Sequence, residues 1–141
     1  MNNINIFESA KPQGGEFFAF KKVGDAVQGT YIDKYKGTDG YGNPQTIYVL
    51  IDTNNKVWNC GFRVESVTGN IIADRLNDVK YGTIVGFRFD KEAPSKIKTG
   101  TMAKVINVYF DSKVVDVEWL AQRKAIETQY SQQDGTVMPS E

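Results

Sequence analysis

Residues 24 to 110 hold five short runs of strand-forming residues, with one stretch of helical spacing between the third and the fourth, and no other feature of the chain restricts its fold so strongly. The first run is Gly24-Asp25-Ala26-Val27-Gln28-Gly29-Thr30-Tyr31-Ile32, where Val27, Gly29 and Tyr31 share a face by the two-residue period of a strand. Thr46 to Asp52 and Lys56 to Arg63 follow. They are joined by Thr53-Asn54-Asn55, whose asparagines tolerate the positive backbone angles of a tight turn. From Val64 to Val79, apolar residues recur every three or four positions (Val64, Val67, Ile71, Ile72, Leu76, Val79), the stripe of a helix that caps a core. Gly69 interrupts the stripe, so the helix is expected to begin only after Thr68-Gly69-Asn70, with Ser66 and Thr68 as caps. Thr83 to Phe89 and Thr101 to Phe110 complete the series.

Five strands with a helix after the third is the order of the OB-fold, a five-stranded Greek-key barrel. That fold often holds single-stranded nucleic acid against strands 2 and 3 and between loops 1-2 and 4-5. The expected fold is therefore mainly β, with 17–110 as the barrel. Residues 1–16 form a flexible arm ending in the breaker cluster Lys11-Pro12-Gln13-Gly14-Gly15. Residues 111–130 form a partly helical C-terminal extension, docked through Val117, Leu120 and Ile126 and anchored by Trp119, and 131–141 have the composition of a disordered tail. Gly29 suits a sharp bend at a barrel corner. Phe17, Phe18 and Phe20 either plug one end of the barrel or form a surface for self-association into a homo-oligomer.

Composition removes several function classes. Seventeen basic and seventeen acidic residues cancel, which argues against a protein that coats duplexes by charge alone. The charge is nevertheless uneven: Lys80, Arg88, Lys91, Lys96, Lys98 and Lys104 face only Asp90 and Glu92 in the same stretch, so a basic surface near loop 4-5 is expected. With no histidine and one cysteine, Cys60, the chain can build neither a zinc site nor a Ser-His-Asp triad. The run Gly37-Thr38-Asp39-Gly40-Tyr41-Gly42 lacks the Lys-Ser/Thr ending of a phosphate-binding loop and leads into a strand. The expectation is a protein that is not an enzyme and uses no cofactor or metal. No apolar run approaches the roughly 20 residues that span a bilayer. The start of the chain lacks the pattern of a signal peptide, so no membrane partner and a cytoplasmic location are expected.

Candidate binding residues follow from the need of a single strand for cations along its phosphates and rings against its bases. Lys34, Tyr35 and Lys36 lead into the Gly-rich loop that carries Tyr41, interleaving the two types. Tyr48, Trp58 and Phe62 are the rings of the second and third strands, followed by Arg63, and alternation alone leaves open which of them are core and which stack. Lys91, Lys96 and Lys98 supply loop 4-5, which is expected to span Lys91 to Gly100.

The string Gly24 to Ile32, then Tyr48-Val49-Leu50 and the turn into Val57-Trp58-Asn59-Cys60-Gly61, resembles the OB-fold proteins encoded by tailed bacteriophages, among them their single-stranded DNA-binding proteins. The resemblance covers roughly residues 17 to 110. It implies a coat on single-stranded DNA during phage replication, recombination or repair, in the host cytoplasm, with replication or recombination proteins as partners. The acidic C-terminal tip of that family is missing, since Asp134 and Glu141 stand almost alone. RNA instead of DNA stays open, and the alternative is a phage assembly or protein-interaction module with no nucleic-acid role.

Overall fold

The computed structural model describes residues 15–95 and 99–126. Six strands, β1 (Glu16–Phe17), β2 (Ala26–Thr38), β3 (Pro44–Ile51), β4 (Val57–Arg63), β5 (Thr83–Pro94) and β6 (Met102–Val115), form one sheet in the order β1-β4-β3-β2-β5-β6. Every pairing is antiparallel except that of β1 with β4. Helix α1 (Val67–Leu76) lies between β4 and β5, and a second helix, α2, begins at 117 and is described as far as 126. Among the described residues no helix is long and apolar enough to cross a membrane.

The strand and helix order is the expected one, and the closure is not. No ladder joins β4 to β6 among the described residues, so the sheet stays open instead of closing into a barrel. The seam is filled by α1. Its Thr68 hydroxyl donates to the Lys104 carbonyl of β6 at 3.2 Å, and its Gly69 sits so close to β4 that a Cβ there would lie 1.9 Å from the Arg63 carbonyl oxygen. The absence of a side chain at Gly69 is thus what lets the helix pack this close to the end of β4, and the helix runs through the glycine instead of starting after it. Ser66 is the N-cap, its Oγ accepting from the Gly69 amide at 2.8 Å. Thr68 serves the seam and not a cap.

Three strands, β2, β5 and β6, run past their expected ends. β2 continues past Ile32 to Thr38 because a bulge between Tyr31 and Asp33 turns its second half onto β3 while its first half pairs with β5. A Cβ at Gly29 would approach the Ile51 carbonyl oxygen to 2.4 Å, so β2 and β3 come together at this bend only because the residue is glycine. β5 and β6 pair out to Pro94 and Met102, and β6 runs on to Val115. The polar stretch from Lys91 that reads as loop 4-5 begins as strand, as far as Pro94, because a two-stranded ribbon wetted on both faces needs no apolar alternation. The hairpin turn falls as expected, with Asn55 at φ 62°.

The inner face carries the core: Val27, Tyr31, Tyr48, Leu50, Cys60, Phe62, Val85, Phe87, Phe89, Ile106 and Val108, closed by Ile72 and Leu76 of α1 and by Phe20. Burial pushes the Cys60 thiol up to about 12, so it remains a small apolar filler. Phe18 and Phe20 pack inward, edge to face at 4.7 Å, with Phe20 6.0 Å from Phe62; Phe17 stays exposed. α2 is held by fewer contacts than its apolar residues suggest. Leu120 covers Gly82, whereas Val117 and Ile126 are exposed. The expected arm reaches the sheet at Glu16; its residues 1–14 and the tail at 131–141 lie outside the described residues.

Candidate nucleic-acid interface

Cross-strand partners share a face, so the register of β2, β3 and β4 places each expected ring. Tyr31, Leu50 and Trp58 fall on the inner side, and so do Tyr48 with Cys60 and Phe62 beyond them, while their row partners Lys34 and Lys36 lie on the part of β2 that runs past the core and are exposed. Tyr48 is 2 % exposed and lies 6.2 Å from the ring of Phe62, which is 7 % exposed and 5.1 Å from Phe87. Neither ring can stack on a base. A small sheet protein must fill its interior with its largest side chains, and these two are taken for that purpose. Trp58 is half-buried and engaged on three sides. Phe18 meets it edge to face at 5.4 Å, its Nε1 donates to Asp52 Oδ2 at 3.0 Å, and Lys56 Nζ stands 4.2 Å from its ring centroid. It anchors the β3–β4 hairpin instead of offering a free platform.

The outer side of the same strands is packed as well. Tyr35, opposite Ile47, directs its hydroxyl across β3 to Asn59 Oδ1 at 3.5 Å, and beneath it Ile47, Val49 and Asn59 are buried. Loss of hydration raises the Tyr35 phenol above its ordinary value. The hairpin face expected to carry the strand is thus closed on both sides.

The β2–β3 arm remains open. Lys34 and Lys36 project from β2 into solvent, and Tyr41 sits at the tip of the arm with 87 % of its surface exposed. The tip is pre-shaped by Asp39, whose Oδ1 accepts from the Tyr41 and Asn43 amides at 2.8 and 2.9 Å while Oδ2 accepts from Arg63 Nε at 2.9 Å. The Asn43 and Tyr41 amides, with the Arg63 guanidinium, hold the Asp39 carboxyl down to about 2. Arg63 is therefore brought to the arm, with its charge already matched by Asp39.

Lys91 is exposed on β5, in the ribbon and not in a loop; Lys96 and Lys98 lie outside the described residues. Lys104 is committed elsewhere, its Nζ donating to the Phe20 carbonyl at 2.5 Å. Sequence patterning did not single out Asn107 and Tyr109. The alternation of Ile106, Val108 and Phe110 toward the core nevertheless puts both on the opposite face, where they meet Arg88 and Asp90 of β5.

A groove of about 730 Å³ lies elsewhere, between α2 and the outer face of β2 and β3. It is lined by Asp52, Asp116, Glu118 and Trp119 among others, with no lysine or arginine on its walls among the described residues. Its charge repels phosphate. No protein-family model, curated protein or solved structure matches this chain.

Proposed function

We infer that this chain is a sequence-tolerant single-stranded DNA-binding protein of OB type. An OB barrel is only partly closed, and a seam occupied by the helix after the third strand fits that description. The observation that carries the reading is Tyr41, a ring almost wholly in solvent at the end of an arm whose strand carries Lys34 and Lys36. Rings on exposed arms stack on unpaired bases while neighbouring ammonium groups follow the backbone. Nothing on the arm is a helix suited to the major groove, so unpaired strands are favoured over duplex. DNA over RNA rests on the phage resemblance, as do roles in replication or recombination.

Few candidate cations are exposed and free of ion pairs among the described residues, on the arm or on β5, and that sets a number. Lys34, Lys36 and Lys91 make no ion pair among the described residues. Three phosphate contacts at about −0.7 each give a slope of log affinity on log salt near −2, shallow for a nucleic-acid binder. Fluorescence anisotropy with labelled oligo-dT, oligo-U and a blunt duplex across a salt series tests this. Tight oligo-dT binding with that slope, and weak duplex binding, is the expected result. Absence of oligo-dT binding at low salt, or equal affinity for duplex, sinks the reading.

One observation favours the competing reading of a protein-interaction module: Phe17 is 56 % exposed on β1, the edge strand of the sheet. A protein that binds no nucleic acid but self-associates, and becomes monomeric as Phe17→Ser, belongs to that class.

A further inference from the structure

On the outer face of β2, β5 and β6 one cross-strand row runs Gln28, Gly86, Tyr109. Adjacent strands are about 4.8 Å apart, so Gln28 and Tyr109 stand roughly 10 Å apart across a residue with no side chain. The result is a slot of about 270 Å³, walled by Ala26, Gln28, Arg88 and Tyr109 and floored by Gly86 with its neighbours on the two strands. Tyr109 is 43 % exposed there.

Three properties select an occupant. The Arg88 guanidinium lies over the Tyr109 ring at 4.7 Å and donates to its hydroxyl through Nη2 at 2.9 Å, so one wall is a pair of planar groups. Asp90 fixes that pair, accepting from Arg88 Nε at 2.5 Å and from the Tyr109 hydroxyl, while Asn107 Nδ2 donates to the same carboxylate at 2.6 Å. The carboxylate also cancels the arginine charge, which leaves a wall that stacks well and attracts phosphate poorly. Opposite, the exposed Gln28 carboxamide carries a donor and an acceptor together, as the edge of a base does. The volume falls just below the roughly 300 Å³ at which small-molecule pockets begin, which suits one flat ring system.

We propose that this slot takes a single unpaired base of a bound strand, a second contact separate from the β2–β3 arm. The proposal rests on the single-strand reading above, and its test separates the two. Affinity for labelled oligo-dT is measured at low salt for the unaltered protein, Tyr109→Ala, Tyr109→Phe, Gly86→Val and Tyr41→Ala, with thermal melts to confirm folding. A Cβ at Gly86 meets Gln28 Cβ at 3.4 Å and the Val27 carbonyl oxygen at 3.6 Å, both ordinary contacts, so the backbone accepts a side chain there and valine places its methyl groups in the slot.

Tyr109→Ala and Gly86→Val are expected to bind about five- to hundredfold more weakly, the effect of removing one stacked base. Tyr109→Phe, which keeps the ring, should lose less. Wild-type affinity in both Tyr109→Ala and Gly86→Val, with Tyr41→Ala weakened, overturns the slot and leaves the single-strand reading standing. No oligo-dT binding by the unaltered protein overturns both. If Gly86→Val melts below the assay temperature, Tyr109→Ala decides alone, its own melt confirming that it is folded, and wild-type affinity in that variant then overturns the slot.

Discussion

The hydroxyl of Thr30, buried in β2, one of the two central strands, donates at 2.5 Å to the Asp116 carboxylate that caps α2. Asp116 Oδ1 also accepts from the Trp119 amide at 2.9 Å, and its carbonyl accepts from the Leu120 amide at 3.0 Å. One side chain therefore both starts the second helix and ties it to the sheet, which helps place a helix whose Val117 and Ile126 stay exposed.

Removing that tie should loosen α2 measurably. Asp116→Ala loses an N-cap worth about 0.5–2 kcal/mol and leaves the buried Thr30 hydroxyl without its acceptor, at about 1–3 kcal/mol. Thr30→Val with Asp116→Ala should cost less than the sum of the two singles. Urea melts of the four proteins give the coupling, and strict additivity would show that the two groups do not interact.

The core rings and the arm ring should separate stability from binding. Phe62→Ala and Tyr48→Ala are expected to lose about 3–5 kcal/mol, so any loss of oligo-dT binding follows unfolding. Tyr41→Ala should change stability by less than about 0.5 kcal/mol and weaken binding roughly five- to hundredfold. Melts and anisotropy on the same samples decide. A stable Phe62→Ala variant with lost binding would return that ring to the interface.

Gly69→Ala reverses the usual helix preference. Alanine gains about 1 kcal/mol over glycine in a helix interior, yet its Cβ would lie 1.9 Å from the Arg63 carbonyl oxygen. Overpacking of this kind costs about 1–3 kcal/mol or more, and the obstacle here is backbone, so net destabilisation is expected. Gly40→Ala, with nothing within 4 Å of its Cβ, is the control and should melt like the parent.

Stability should fall in acid with a late midpoint. Asp39, under the Asn43 amide, and Asp90, under the Tyr109 hydroxyl, Asn107 and Arg88, are each held down to about 2. Asp116 is lowered by Thr30, and Asp52 by the Lys56 amide and Trp58. A carboxyl depressed in the folded state contributes stability above its unfolded value near 3.9 and loses it as pH falls toward 2. Urea midpoints should be flat from pH 7 to about 5 and then drop, less steeply for Asp39→Asn and Asp90→Asn. Parallel curves for all three proteins would remove these carboxylates as the cause.

The residues themselves determined the element order, the inward positions and the turn. Period-two alternation marks Val27, Tyr31, Val85, Phe87 and Phe89 as core because a strand face is either wet or dry, and Thr53-Asn54-Asn55 turns because asparagine reaches positive φ. Local pattern also marks Ser66 as a cap. It does not say which of two apolar faces meets the larger core, and β3 and β4 are apolar on both. Only the register of β3 against β2 and β4 sends Tyr48 and Phe62 inward, leaves Trp58 at the rim and frees Tyr41. The Asp39–Arg63, Thr30–Asp116 and Asp90–Tyr109 contacts join residues 24, 86 and 19 positions apart. Tertiary folding alone decides such pairs, because nothing in the local spacing of a chain encodes which distant strand will lie beside it. The open seam has the same origin: that helix α1 and not β4 lies beside β6 there is a tertiary contact, and a helical period cannot reveal what the helix will touch.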